Sequence, residues 1–199
     1  MKKIYGLISL AVLATLVSVG CAKPEPIYFA STFNEGQAER LMRPGRNKII
    51  LNSFVVQPGG DVITCAGSTA ELVPATETAA EYVKMIFGSE LGGEADIWDA
   101  QGISNRIANG TQGFMSLRAQ QKCNADGSAV FENVGDGDFY LFSGAAWSPW
   151  DNAIEGFVFA QKVSVRGGET KKVVLSGRAR RLDSGPDRHH SNPRGLGAF

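Results

Sequence analysis

The sequence feature that most constrains the fold is a series of short apolar stretches separated by turns rich in glycine and aspartate. Residues 59–76 show the pattern: 61–65 and 69–73 each predict a strand, and the segment between them contains Gly67. Pro74 ends the second strand, because proline cannot donate a hydrogen bond to a central ladder. The 24 glycines in 199 residues suit an all-β protein with many turns.

The same pattern recurs along most of the chain. Further strands are predicted at 48–56, 114–123, 128–134, 138–147, 155–165 and 170–176. The dipeptide Asp126-Gly127 favours a hairpin between two of them. The predicted fold class is therefore all-β: a prealbumin-like or immunoglobulin-like sandwich of about seven strands with one short inserted helix.

The inserted helix is predicted over 77–87, where apolar residues recur at helical spacing. Thr76 is a candidate N-cap, Thr78 and Glu81 form a candidate capping box, and Gly88 suits the end of the helix. The following residues, 89–113, are polar and lack periodicity, so we expect a long loop that is functional or disordered. Trp98 could pin this loop to the body.

The first 20 residues predict a targeting segment. Two lysines precede an apolar run that is short for a membrane span, and the run ends at Gly20-Cys21. This arrangement resembles a bacterial lipoprotein signal, which implies that Cys21 carries fatty acyl chains and anchors the protein, with the outer membrane favoured over the inner one. The alternative is a plain secretory peptide with Cys21 unused.

The other two cysteines, Cys65 and Cys123, are predicted to form a disulfide. An exported protein lies in an oxidising space, where such a pair normally bonds. Two free buried thiols are the alternative, because the sequence does not show that the two Cα atoms approach each other.

Both ends of the mature chain are predicted to lie outside the sandwich, which we expect over 47–177. Residues 21–46 contain three prolines and predict a tether. Residues 178–199 predict a disordered basic tail. Residues 77–155 carry 12 acidic and 4 basic residues, whereas 162–199 carry 9 basic and 3 acidic ones, so an acidic body precedes a basic end.

The strand and turn sequences together resemble the carboxypeptidase regulatory-like, or transthyretin-like, domain over residues 47–176. The residues that carry the resemblance lie in and beside the predicted turns: Gly60-Asp-Val, Cys65-Ala-Gly, Leu72-Val-Pro-Ala-Thr, Asn124-Ala-Asp-Gly-Ser-Ala-Val-Phe, Asn133-Val-Gly-Asp-Gly-Asp-Phe-Tyr-Leu and Val163-Ser-Val-Arg-Gly-Gly-Glu-Thr. The resemblance implies a seven-stranded sandwich that binds, spaces or stabilises, and it transfers no catalytic residues.

Residue types in the predicted body speak against catalysis. The sequence has only two histidines, His189 and His190, and both lie in the predicted tail, away from any Ser-His-Asp or Cys-His arrangement. Acidic residues Asp126, Asp136 and Asp138 could ring a calcium ion, but their spacing does not fit a calcium loop and ordinary turn chemistry is favoured. A hydrolase that uses loop acids is disfavoured, so we predict a protein that is not an enzyme and has no cofactor or metal.

Aromatic residues of predicted loops and arginines of the predicted tail are the candidate contacts with a partner. These are Trp98, Trp147, Trp150, Arg178, Arg180 and Arg181. The alternatives are core or edge packing for Trp147 and Trp150 and a solvated tail for the arginines. The formal net charge of zero gives no reason to expect nucleic acid. We predict a lipid-anchored envelope protein that displays a non-catalytic interaction module to an envelope protein or a glycan. The alternative is a structural accessory of an envelope complex or cell-wall layer, docked through its tail.

Overall fold

The computed structural model describes residues 24–108, 111–151 and 153–179, and within these ranges the chain forms a β-sandwich. The all-β prediction is confirmed, with nine strands and four helices in the described residues. The strands are β1 (Asn47–Val56), β2 (Val62–Thr64), β3 (Thr69–Pro74), β4 (Gly92–Asp96), β5 (Ala119–Lys122), β6 (Ser128–Val134), β7 (Gly137–Trp147), β8 (Glu155–Val165) and β9 (Thr170–Arg178). The helices are α1 (Glu35–Leu41), α2 (Glu77–Phe87), α3 (Ile97–Ser104) and α4 (Gln112–Met115).

The first sheet is built around β1. Strand β9 pairs with β1 in parallel along its whole length, from Lys48 opposite Thr170 to Val56 opposite Arg178. Strands β6 and β2 pair antiparallel with the first and last parts of β1. The second sheet is antiparallel throughout, in the order β4-β8-β7-β3-β5. Strands β4 and β9 therefore lie at the ends of their sheets.

The core lies between the two sheets, and strand alternation builds it. Along β7, Phe139, Leu141 and Ala145 point inward and are buried, as the period-2 geometry of a strand requires. They pack against inward residues of β1 such as Ile49 and Leu51. The apolar stretches seen in the sequence are thus the inner faces of the sandwich.

The sequence predicted the strands better than their pairing. Strand β5 pairs with β3 in the second sheet, whereas β6 pairs with β1 in the first. The Asp126-Gly127 turn is therefore a crossover between sheets, and the hairpin prediction is wrong. Gly127 is needed there because its φ is +79° and a Cβ would approach Ser53 O within 2.9 Å.

The disulfide between Cys65 and Cys123 is confirmed, and their Cα atoms lie 5.7 Å apart. Cys65 lies in the crossover from β2 to β3, and Cys123 lies in the crossover from β5 to β6. The bond therefore joins the two connections that carry the chain between sheets.

Helix α2 has the predicted bounds and lies on the outer face of the second sheet. Thr76 caps its start, with Oγ1 accepting from Ala79 N at 3.3 Å, and Gly88 ends it in the left-handed conformation. The Thr78–Glu81 capping box is wrong, because the Glu81 carboxylate accepts from the N–H groups of Ala30 and Ser31 at 2.8 Å instead. Burial raises the pKa of Glu81, but these bonds and one from the Ser31 side chain outweigh it and lower the pKa.

The segment after α2 differs most from the sequence-based prediction. Residues 89–113, expected to be an irregular loop, contain β4 and α3. The strand expected over 114–123 is split into α4 and β5. Phe114 is buried under α2, where it packs beside Phe29 and Tyr82 with ring centroids 5.8 and 5.2 Å away. A short helix there lets its ring reach this second cluster, which a strand in the sheet would not.

The segment expected to be a tether is also largely part of the folded body. Ile27 forms a bridge with Ile107, and Phe29 and Phe33 pack on the outer apolar cluster under α2. Two phenylalanine rings exposed to water in a free linker would cost free energy. Their burial therefore explains why this segment is attached to the sandwich. The predicted leader 1–20, Cys21, Arg180 and Arg181 lie outside the described residues. In the described part of the chain, no helix has the length and apolar character to cross a membrane.

Candidate binding site

The β7–β8 hairpin carries two of the three tryptophans. Trp147 ends β7 opposite Glu155 of β8, and residues 148–154 connect them. Inside this loop, Ser148 Oγ lies 2.8 Å from Trp150 O and 2.7 Å from Ala153 O, and Ala153 N donates to Trp150 O at 3.1 Å. These contacts fix the carbonyl of Trp150 within the loop.

The third tryptophan joins the inserted β4–α3 unit to the same hairpin. Trp98 Nε1 donates to Ile154 O at 2.8 Å, just before β8 begins. Asp96 Oδ1 accepts from Trp98 N at 2.8 Å and thereby caps α3. The structure thus brings Trp98, Trp147 and Trp150 to one end of the second sheet.

Only one of these three indoles is presented to solvent. Trp147 is half-buried and stacks on Phe157, with ring centroids 6.3 Å apart and an interplanar angle of 25°. Trp98 is held against Ile154. Trp150 is 67% exposed, which makes it the most exposed of the large aromatic side chains of the described residues. Trp147 and Trp98 therefore support the site, and Trp150 is the residue able to contact a ligand.

Acidic residues lie on or beside the elements that carry the three tryptophans. Asp151 follows it in the loop and is exposed, and the half-buried Glu155 begins β8. Asp99 is exposed in the first turn of α3, and Asp96 is committed to the cap. This end of the second sheet offers carboxylate oxygens that accept hydrogen bonds, and it disfavours anionic ligands.

A cleft of about 350 Å³ opens on the side of the sandwich between the edge strands β4 and β9. Its walls combine polar side chains with the exposed apolar residues Leu91 and Val174; the polar ones are Glu94, Gln161 and Ser176. Sequence reasoning missed this cleft, because it arises from two strands about 80 residues apart that belong to different sheets. The polar side chains gave no local signal, since they occupy ordinary outward positions of strands.

The three aspartates considered for calcium accept hydrogen bonds from nearby protein groups, two of them in turns and Asp138 in β7. Asp126 accepts hydrogen bonds from Ser128, and these lower the pKa of Asp126. Asp126 precedes β6 and Asp136 follows it, so the two lie at opposite ends of that strand. Asp138 pairs with Arg166 at 2.8 Å and is bonded by Ser164, and these bonds lower its pKa. Across 24–108, 111–151 and 153–179, no group of three or more His, Cys, Asp or Glu residues could hold a metal ion.

Arg178 ends β9 opposite Val56, and its side chain is exposed. The neighbouring Gly177 lies against Phe159 of β8 and Glu94 of β4. Strand β9 therefore ends in the same half of the sandwich as the tryptophans, beside the β4–β9 cleft.

No protein-family model matches this sequence, and no curated protein matches it. One solved structure to which the chain is similar is the crystal structure of a proposed carbohydrate binding protein from Pseudomonas aeruginosa. The TM-score is 0.59 at 18% sequence identity, and the alignment covers 73% of this chain and 98% of that chain. At this identity the likeness establishes the shared fold.

Proposed function

We propose that this protein is a non-catalytic binding module that recognises a neutral glycan through the exposed indole of Trp150. The observation that carries the proposal is a large aromatic ring that is 67% exposed in a loop whose backbone is fixed by Ser148 and Ala153. An aromatic ring held out on a braced loop loses little conformational entropy when a ligand stacks on it.

The chemistry around Trp150 favours a sugar. One face of a pyranose ring presents C–H groups that stack on an indole, and its hydroxyls donate to carboxylates such as those of Asp151 and Glu155. The same carboxylates would repel uronic acids and phosphorylated sugars. The predicted ligand class is therefore a glycan without negative charge at the bound unit.

The structural comparison supports this proposal. The similar Pseudomonas aeruginosa structure is described as that of a proposed carbohydrate binding protein. A sandwich with no histidine among its described residues and no metal cluster in them is compatible with binding in place of turnover. The resemblance to the carboxypeptidase regulatory-like domain, as implied by the turn sequences, stays a prediction and points to the same non-catalytic class.

We also propose that lipid on Cys21 anchors the module in the bacterial cell envelope. The support is the sequence 1–21, which resembles a lipoprotein signal, and the disulfide, which suits an oxidising compartment. Replacing Cys21 by Ser should move the protein from the membrane fraction to the soluble fraction of a cell lysate. Unchanged membrane retention of that variant would contradict the anchor.

Glycan binding is tested by screening the purified full-length chain on an array of neutral and acidic glycans, followed by calorimetric titration of each hit. Trp150→Ala should abolish binding to neutral glycans, and Trp150→Phe should retain part of it. Tyr28→Ala is the matched control, since Tyr28 is another exposed aromatic residue, at 64%, and lies outside the hairpin.

Two results would contradict the proposal. The first is the absence of any neutral glycan among the ligands. The second is an equal loss of binding in Trp150→Ala and Tyr28→Ala, which would indicate nonspecific adhesion. If Trp150→Ala instead removes binding to an envelope protein while glycans never bind, the site serves protein recognition and the glycan proposal fails.

A further inference from the structure

A second pocket, of about 420 Å³, lies at the end of the sandwich where β1 begins. Three arginines line it: Arg40 in the last turn of α1, and Arg43 and Arg46 in the loop that leads to β1. The opposite wall is the backbone of Gly135 and Gly168 together with Asp136. Three separate segments of the chain therefore meet around this pocket.

Backbone contacts hold the arginine loop in place. Gly45 N donates to Asn133 O at 2.9 Å. A Cβ on Gly45 would approach Val134 O within 2.5 Å, and a Cβ on Gly135 would approach Arg43 O within 2.6 Å. Only glycine at these two positions allows the backbones to lie so close.

Asn47 fixes the other walls. It is fully buried, and its Nδ2 donates to Val134 O at 3.0 Å and to Asp136 Oδ1 at 2.8 Å. Its Oδ1 accepts from Gly168 N at 2.8 Å and from Glu169 N at 3.0 Å. One buried amide thus joins the three loops at this end, so the pocket is preorganised.

The charges in the pocket are unbalanced. Among the described residues, none of the three arginines forms a salt bridge, and all three side chains are exposed. Asp136 is the one carboxylate in the lining, and its Oδ1 already accepts from Asn47 and from Gly167 N at 3.0 Å. The lining therefore contains three arginines and one carboxylate, and that carboxylate is already bonded to the protein.

We propose that this pocket binds a phosphate group. Guanidinium is planar and always charged, and it presents paired N–H donors that match the oxygens of phosphate. The size of the pocket and the three arginines in its lining suit a phosphate ester with part of the molecule that carries it. The ester could belong to a soluble phosphorylated compound or to a lipid headgroup, and the experiment separates these sources.

The site is chemically opposite to the Trp150 hairpin. Strand β7 begins at Gly137, next to Asp136, and ends at Trp147 after 11 residues, so the two sites lie at opposite ends of one long strand. An acidic end would accept a neutral glycan, and a basic end would accept an anion. Phosphate binding does not depend on glycan binding, and Trp150→Ala should leave it unchanged.

The first experiment titrates inorganic phosphate into the full-length chain and follows the backbone amide signals by NMR at fixed ionic strength. We expect saturable shifts concentrated at Gly45, Gly135 and Gly168. The double variant Arg43→Gln, Arg46→Gln should weaken the affinity at least about tenfold, because two of three cationic donors are lost. An unchanged melting temperature would show that the variant stays folded.

Arg178→Gln is the matched control, because it removes a positive charge from the other half of the sandwich. Its affinity for phosphate should stay within about twofold of the parent chain. If Arg178→Gln weakens the affinity for phosphate as much as the double variant does, phosphate responds to the overall charge of the protein and not to this pocket, and the proposal is overturned. Shifts that never saturate, or that spread over the whole surface, would overturn it as well.

The second experiment distinguishes the sources of the phosphate group. Cosedimentation compares vesicles that contain phosphatidic acid with vesicles of neutral lipid, using the chain with Cys21→Ser so that no N-terminal lipid contributes. Vesicle binding lost in the Arg43→Gln, Arg46→Gln variant identifies a lipid headgroup as the ligand. Binding of soluble phosphate with no pocket-dependent vesicle binding identifies a soluble phosphate compound.

Discussion

The ion pair under the helical layer gives the sharpest test of how this fold is stabilised. Glu71 lies on the outer face of β3, and its side chain is only 8% exposed. Its Oε1 accepts from Arg118 Nε at 2.8 Å and from Gln120 Nε2 at 2.6 Å. Phe142 is its neighbour on β7. Replacing Arg118 by Ala would leave a buried carboxylate with one neutral donor.

The expected cost follows from the burial of the two partners. Removing one partner of a fully buried pair costs about 3–5 kcal/mol, because the remaining charge stays desolvated. The Arg118 side chain is 28% exposed, so water can partly replace it, and we expect a loss of about 2–4 kcal/mol in the free energy of unfolding. The guanidinium also donates to Met115 O at the end of α4, so the end of that helix should loosen as well.

Urea denaturation at pH 7, followed by circular dichroism, measures this loss. The control is Lys84→Ala, which breaks the exposed pair between Lys84 and Glu90, whose side chains are 62% and 58% exposed. That change should cost at most about 1 kcal/mol. The double variant Glu71→Gln, Arg118→Ala should lose less than Arg118→Ala alone, since it removes the stranded charge. If Arg118→Ala costs no more than Lys84→Ala, the reasoning is refuted.

Three further predictions concern the crossovers, the core and the response to acid. Replacing Cys65 and Cys123 by Ala should lower the free energy of unfolding by about 4 kcal/mol in urea titrations, because the bond joins residues 58 positions apart and restricts the unfolded chain. A loss below about 1 kcal/mol would contradict this. Ser143→Ala should raise the free energy of unfolding by about 1 kcal/mol, because the buried hydroxyl has no hydrogen-bond partner among the described residues. A clear decrease in the free energy of unfolding would show that the hydroxyl does form a hydrogen bond. Hydrogen bonds from Arg166 and Ser164 lower the pKa of Asp138 in the folded state. Its ionised carboxylate therefore contributes to the free energy of unfolding above about pH 4, and this contribution is lost as the pH falls towards the lowered folded-state pKa. Urea midpoints should therefore drop over that range, and Asp138→Asn should reduce the drop; an unchanged drop would exclude this aspartate as its source.

The positions of most strands and of one helix were predictable because the signals are local. The bounds of β8 and α2 agree with the sequence pattern residue for residue. Turn residues at Gly67 and Gly127 adopt the positive φ that glycine allows most easily. The cysteine pair could be inferred by counting, since only two cysteines remained after Cys21.

The candidate site was predicted only in part. The sequence identified three tryptophans as candidates and favoured packing for Trp147 more than for Trp150, but it did not show which of them is exposed. Burial and hydrogen bonding assign Trp98 and Trp147 to support and leave Trp150 free for contact. Exposure depends on which neighbouring elements cover a side chain, and that information is absent from local sequence.

The sequence by itself determined that this chain forms short strands around glycine-rich turns with an apolar inner face. Only the tertiary structure decided which strands pair, because an Asp-Gly turn suits a crossover as well as a hairpin. The Asp126-Gly127 turn is a crossover since β5 pairs with β3 and β6 pairs with the distant β1. The tertiary structure likewise decided that Phe29 and Phe33 pack under α2 and that Arg40, Arg43 and Arg46 line one pocket with glycines of two other loops. Turn and strand preferences act over a few residues, whereas sheet pairing and pocket formation depend on contacts between segments up to about 120 residues apart.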